Sequence, residues 1–160
     1  MMTRRNILNT LFSGLASAVA GTSQAAAASS TYEVVKTDAE WQKILSSDAF
    51  YVLRKAGTER PFTSALNEEK RAGTFSCAGC QLPLFSSKAK YNSNTGWPSF
   101  WAPLSKDVIN EVADNSLFGK RVETVCHRCG GHLGHVFDDG PKPTGLRYCM
   151  NGVALSFAPA

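Results

Sequence analysis

Hydrophobic positions divide the chain into stretches of different texture. Residues 7–20 are mainly apolar without regular alternation, and a tract of small residues follows, ending in Ala25, Ala26, Ala27 and Ala28. Across 37–55 the spacing is helical. Thr37 or Asp38 starts a segment with Trp41, Ile44 and Leu45 on one face. Ser46 or Ser47 starts a second, carrying Phe50, Tyr51 and Leu53 and ended by Gly57. Such starts suit Ser, Thr and Asp, whose side-chain oxygen accepts an amide N–H that the first turn leaves unpaired. From Gly73 onward, short runs rich in Val, Phe, Tyr and Thr are divided by Gly, Pro, Asn and Asp. The runs 74–77, 82–85, 108–112, 121–126, 146–150 and 153–157 read as antiparallel strands. The expected fold is α+β, mainly β, with short N-terminal helices ahead of an antiparallel sheet core.

Composition narrows the class. A length of 160 residues suits one domain. Arg4 and Arg5 are the only charged residues in the first thirty, so the remainder carries 15 basic against 13 acidic side chains. That balance is too weak and too evenly spread for a nucleic-acid protein. No apolar run reaches the ~18 residues that a membrane-spanning helix needs. The basic start, apolar centre and small-residue end of the first thirty residues match the plan of a secretory signal peptide. Thr3-Arg4-Arg5-Asn6-Ile7-Leu8 further resembles a twin-arginine signal; an ordinary signal carrying two arginines is the alternative. Residues 1–28 are read as this address, and 29–160 as a single periplasmic or exported domain.

Five cysteines make the next distinction. Cys77-Ala78-Gly79-Cys80 and Cys126-His127-Arg128-Cys129 are two C-x-x-C knuckles with 45 residues between them. Together they offer four thiolates, which suits tetrahedral structural Zn²⁺. Disulfides or a redox dithiol are the competing reading in an oxidising compartment. Four sulfurs close such a site, so His127 is not expected to be a ligand. Cys149 is left over, within Arg147-Tyr148-Cys149-Met150-Asn151. In an extended strand Arg147 shares a face with Cys149 and favours its thiolate. The residues alone leave two readings open, a reactive thiol or a small buried side chain.

Two further stretches carry candidate chemistry. His132 and His135 stand three apart in a glycine-rich segment that continues to Asp138 and Asp139, and so can bring imidazoles to a reacting group. Trp97, Phe100 and Trp101 surround Pro98 and form either core or the wall of a small apolar pocket. Three function classes accommodate these features. One is a thiol-based redox enzyme. Another is a zinc-stapled peptide-binding module using Trp97. The third is an acyl hydrolase built from Cys149, His135 and Asp139.

The motifs, taken in order, resemble one family. They are Thr58-Glu59-Arg60-Pro61-Phe62, the first knuckle with Pro83-Leu84-Phe85, Gly96-Trp97-Pro98-Ser99-Phe100, the block from Cys126 to Pro141, and Arg147-Tyr148-Cys149-Met150-Asn151. Spanning Trp41 to Phe157, they resemble the methionine-R-sulfoxide reductases (MsrB). The resemblance implies a β-rich fold with a structural zinc on Cys77, Cys80, Cys126 and Cys129. It implies Cys149 as the nucleophile that attacks the sulfoxide sulfur, His132 and His135 as proton donors, and Asn151 as their aid. Trp97, with Phe100 and Arg147, is implied to contact substrate, the indole receiving the ε-methyl group. The products would be methionine and a sulfenic acid on Cys149, in the service of oxidative-damage repair. Many members carry a resolving cysteine just before the Gly96-Trp97 motif, where this chain reads Ser93-Asn94-Thr95. The expected reductant is therefore external, a thioredoxin-like protein or a small thiol. Gly152 and Val153 also depart from the family pattern.

Overall fold

A computed structural model describes residues 32–114 and 121–160; the expected signal peptide lies outside them. Two short helices come first, α1 (Asp38–Ile44) and α2 (Ser47–Lys55). Thr37 caps α1 in a reciprocal box: its hydroxyl accepts from the Glu40 N–H, and the Glu40 carboxylate accepts from the Thr37 N–H at 2.8 Å. Ser46 caps α2 by accepting from the Ala49 N–H. Each cap is worth about 1 kcal/mol. The buried face is carried by Trp41, Ala49, Val52 and Leu53, whereas Ile44 and Tyr51 are exposed. The end of α2 also differs from expectation. Ala56 takes the left-handed cap position, and the exposed Tyr51 ring lies against Gly57.

Among the described residues nine strands follow: β1 (Gly73–Cys77), β2 (Pro83–Ser86), β3 (Lys90–Tyr91), β4 (Ser99–Phe100), β5 (Ile109–Asp114), β6 (Arg121–Cys126), β7 (His132–Phe137), β8 (Arg147–Met150) and β9 (Leu155–Pro159). They build a three-stranded sheet, β2-β1-β9, and a six-stranded sheet, β3-β4-β8-β7-β6-β5, with every pairing antiparallel. The core joins the two. Phe75 of β1 meets Phe100 of β4 edge-on at 5.0 Å, and Phe85 of β2 stacks on the same ring at 4.3 Å. Phe100 is therefore fully buried core and not part of a substrate wall, a correction to the sequence reading.

Strand β7 was read only as a glycine-rich stretch. Its pairing with β6 slips by one residue between Thr124 and Val125, leaving Leu133 as an extra residue. The bulge reverses the alternation of side chains, so His132 and His135, which an unbroken strand would place on opposite faces, lie together with ring centroids 5.5 Å apart. Register then aligns one row across five strands: Tyr91, Ser99, Cys149, His135 and Glu123. The adjacent row, with Phe100, Tyr148 and Val136, turns to the opposite face and supplies core.

Close packing of β7 on β8 depends on Gly134. A Cβ there would lie 2.1 Å from the Cys149 carbonyl oxygen and 3.0 Å from Met150 Cα. Backbone on both sides leaves no flexible atom to give way. Gly134→Ala is expected to cost about 2 kcal/mol, the range typical of overpacking, read as a lower urea midpoint. An unchanged midpoint would contradict this strand spacing.

Candidate active site

The two knuckles converge. Cys77 lies at the end of β1 and Cys126 at the end of β6, and Cys80 and Cys129 close the turns that follow. The four sulfurs lie within 4.8 Å of one another, with Cys77–Cys129 at 3.7 Å and Cys80–Cys126 at 3.5 Å. A tetrahedron with metal–sulfur bonds of ~2.3 Å has edges of about 3.8 Å, so the donor set fits a structural metal site. Four thiolates in contact need a cation to balance them. Contact with Cys126, then Cys129 and Cys80, drives the Cys77 thiol far above its ordinary range. His127 points away, its Nδ1 paired with Asn110 at 2.9 Å on the exposed surface. All five cysteines are unpaired in the sense of disulfides.

Cys149, half-buried, opens into a shallow cavity of about 150 Å³ lined by Trp97, Gly134, His135, Phe137, Asn151, Thr58 and Arg121. Trp97 is fixed by its indole N–H, which donates to the Glu59 carbonyl oxygen at 3.0 Å. Glu59 holds the far side of the cavity as well. Its own N–H donates to Asn151 Oδ1 at 2.8 Å, and its carboxylate accepts from the Gly152 N–H at 2.6 Å. Burial raises the Glu59 carboxyl above its usual range, against the lowering effect of the Gly152 N–H. Asn151, buried, spends its amide nitrogen on the Leu133 carbonyl at 3.0 Å. Its side chain is thus a clasp between β7 and the Glu59 loop.

The two histidines are held differently. His132 Nδ1–H donates to Glu123 Oε1 at 2.6 Å, and its Nε2 is buried without a hydrogen-bond partner among the described residues. A carboxylate only accepts, so Glu123 fixes the tautomer and leaves Nε2 as the ring's working atom. His135 Nε2–H donates to Asp114 Oδ2 at 3.0 Å, and the same oxygen accepts from Arg121 at 2.9 Å. Burial lowers His135 below the ordinary histidine range, opposed by Asp114 and assisted by Arg121. Arg147 is committed elsewhere. It grips Asp139 with two hydrogen bonds of 2.7 and 2.8 Å and lies 4.2 Å over the Phe137 ring. Asp139 is therefore not a partner of His135, and the hydrolase arrangement of Cys149, His135 and Asp139 is not assembled.

A SelR domain model matches residues 45–159, most of the described chain. This chain belongs to the SelR domain family. Relatives named peptide methionine sulfoxide reductase MsrB include one from Methanosarcina mazei, 50% identical over 78% of this chain and 89% of its own. Another, from Leptospira interrogans, is 50% identical over 79% of this chain and 96% of its own. A third, from Pseudomonas putida, is 51% identical over the same shares.

Within this SelR fold the cavity gathers Trp97, His135, Cys149 and Asn151 from the expected set, with His132 beside His135. Arg147 and Phe100 do not line it. Residues that sequence reasoning missed are Glu123, Asp114, Arg121, Phe137, Thr58 and the structural use of Glu59. Phe137 was legible in principle, two residues beyond His135 on one strand face. Thr58 and Glu59 stood in a motif without an assigned role. Nothing in the sequence pairs Glu123 or Asp114 with the histidines, since that follows from strand register.

Two outcomes follow from this geometry. Below about pH 6.5 the unfolded chain takes up a proton on His135 that the folded chain resists, so this residue's contribution to stability falls as pH drops toward its folded value. His135→Gln is expected to flatten the decline of the urea midpoint between about pH 7 and pH 5 relative to wild type. For the cysteine cluster, Cys77→Ser is expected to lose the bound metal and the cooperative thermal transition together, followed by metal analysis and circular dichroism.

Proposed function

We propose that this protein reduces methionine sulfoxide to methionine, an oxidoreductase reaction, with selectivity for the R arrangement at sulfur. The observation that carries this reading is a sulfur outside the four-cysteine cluster, Cys149, that shares a cavity with the Trp97 indole and with His135, beside which stands His132, each imidazole oriented by a carboxylate. Cys149 thiolate attacks the sulfoxide sulfur while the substrate methyl group rests against Trp97. The sulfoxide oxygen, already partly negative, gains further negative charge as the thiolate attacks, and a proton must neutralise it. His132 supplies it from Nε2, with the Glu123 carboxylate supporting the charged ring. His135, kept neutral by burial, shapes the adjoining wall and accepts or relays a proton through its remaining ring nitrogen. The thiol and the sulfoxide yield methionine and a sulfenic acid on Cys149, so oxygen and electrons balance.

Cys77, Cys80, Cys126 and Cys129 would hold zinc, whose contribution is structural: it cross-links the ends of β1 and β6 and leaves the chemistry to Cys149. Those four thiols are withdrawn from redox exchange. Two electrons therefore come from outside, from a thioredoxin-like protein or a small thiol, through a mixed disulfide that expels water. The substrate is methionine sulfoxide, free or in proteins damaged by oxidation. The proposal extends to location: residues 1–28 act as a twin-arginine-type signal, delivering residues 29–160 folded, with metal loaded, to the periplasm.

Activity on resolved R and S epimers, with dithiothreitol as reductant and zinc measured in the same sample, tests the reading. Turnover of the R epimer alone is expected. Cys149→Ser is expected to lower kcat by about 10³ or more while keeping one zinc per chain. Retained activity in that variant would end the assignment.

A further inference from the structure

A line of hydroxyl groups runs away from the reactive sulfur. Thr95 Oγ1 lies 3.8 Å from Cys149 Sγ, and Ser93 Oγ lies 2.8 Å from Thr95 Oγ1. Ser93 Oγ also meets Ser99 Oγ at 2.6 Å, and Ser99 donates to the Trp97 carbonyl oxygen at 3.1 Å. Ser99 is fully buried and stands directly across from Cys149 in the β4–β8 pairing. The line is anchored at its Ser99 end, both by strand register and by the Trp97 backbone carbonyl.

The carbonyl sets the polarity. It only accepts, so the Ser99 proton points to it. Ser93 then donates to Ser99, and Thr95 donates to Ser93, because each hydroxyl carries one proton. Thr95 is left facing the sulfur with lone pairs alone. Such an end is poorly matched to a thiolate and well matched to a group that donates.

We propose that Thr95 binds the sulfenic acid formed on Cys149, its Oγ1 accepting the S–O–H proton, with Ser93 and Ser99 holding it in that orientation. The inference rests on the reductase reading above. An oxygen added on the Thr95 side of Sγ shortens the 3.8 Å separation to the ordinary O–H···O range of about 2.7 Å. The bound oxygen is drawn to one side, and the sulfur remains open on the cavity side for an incoming thiol. That thiol forms an S–S bond to Cys149 as the S–O bond breaks, and the departing oxygen leaves as water with the thiol proton. Pinning the intermediate also slows its further oxidation while no reductant is present, which matters in a chain whose other four cysteines are gathered into the cluster.

The test uses the metal-loaded protein, treated with one equivalent of methionine-R-sulfoxide without reductant and followed by intact mass. In wild type, a species carrying one added oxygen on Cys149 is expected to persist. Thr95→Val, which keeps the shape and removes the hydroxyl, is expected to convert that species to the doubly oxygenated form about fivefold faster under added peroxide, the loss of one hydrogen bond. Ser93→Ala leaves the Thr95 hydroxyl in place but frees it to rotate, and is expected to shift the rate in the same direction by a smaller factor. Equal persistence in wild type and both variants would overturn the role of Thr95. Absence of the singly oxygenated species from wild type would instead overturn the reductase reading, so the two failures are distinct.

Discussion

Strand β8 is pinned from both sides, by β4 and by β7, and everything chemical in this molecule depends on that confinement. Ladder hydrogen bonds fix the strand's height and rotation, and the alternation of side chains does the rest. Tyr148 and Met150 are buried in the core, while Cys149 between them opens to the other face. Strand pairing on both sides therefore positions the thiol, which remains half-buried at the cavity. Gly134 allows the β7 backbone to approach within a distance that any Cβ would block.

Around this strand, two cross-links of different chemistry brace the site. The four-sulfur cluster ties the chain after β1 to the chain after β6, elements that no short loop connects. On the other side, Glu59 joins Trp97, Asn151 and Gly152 through its carbonyl, amide and carboxylate groups. The indole wall and the end of β8 are thus tied to the same residue. Preorganisation of this kind costs nothing at the moment of reaction, because the entropy of assembling the site was spent in folding.

Charge is distributed with similar economy. Each histidine has its own carboxylate, Glu123 for His132 and Asp114 for His135, so the two rings do not compete for one partner. Arg147, the cation two residues before Cys149, is bound to Asp139 and not to the sulfur. The separate hydroxyl line through Thr95 reaches the sulfur without adding charge.

Several features were legible in the amino-acid sequence because they depend on local geometry. Thr37 and Ser46, each one of two adjacent candidates, cap their helices, since a cap needs only its own three following residues. The strand runs from 121–126 and 146–150 held to within a residue, and the two C-x-x-C turns announced four converging sulfurs. Misreadings arose where burial is decided at a distance. Phe100, which the residues left open between core and pocket wall and the resemblance assigned to substrate, is core, because β1 and β2 bring Phe75 and Phe85 against it. Tyr51 is exposed although its helical spacing matched its neighbours. Strand β7 was unreadable as a strand, because a bulge at Leu133 breaks the two-residue period that marks one. Local residue types, then, named the candidate groups: one sulfur, two imidazoles, one indole. Their carboxylate partners came from pairing between strands, and strand register is set by packing of the whole sheet, which no short stretch of sequence contains.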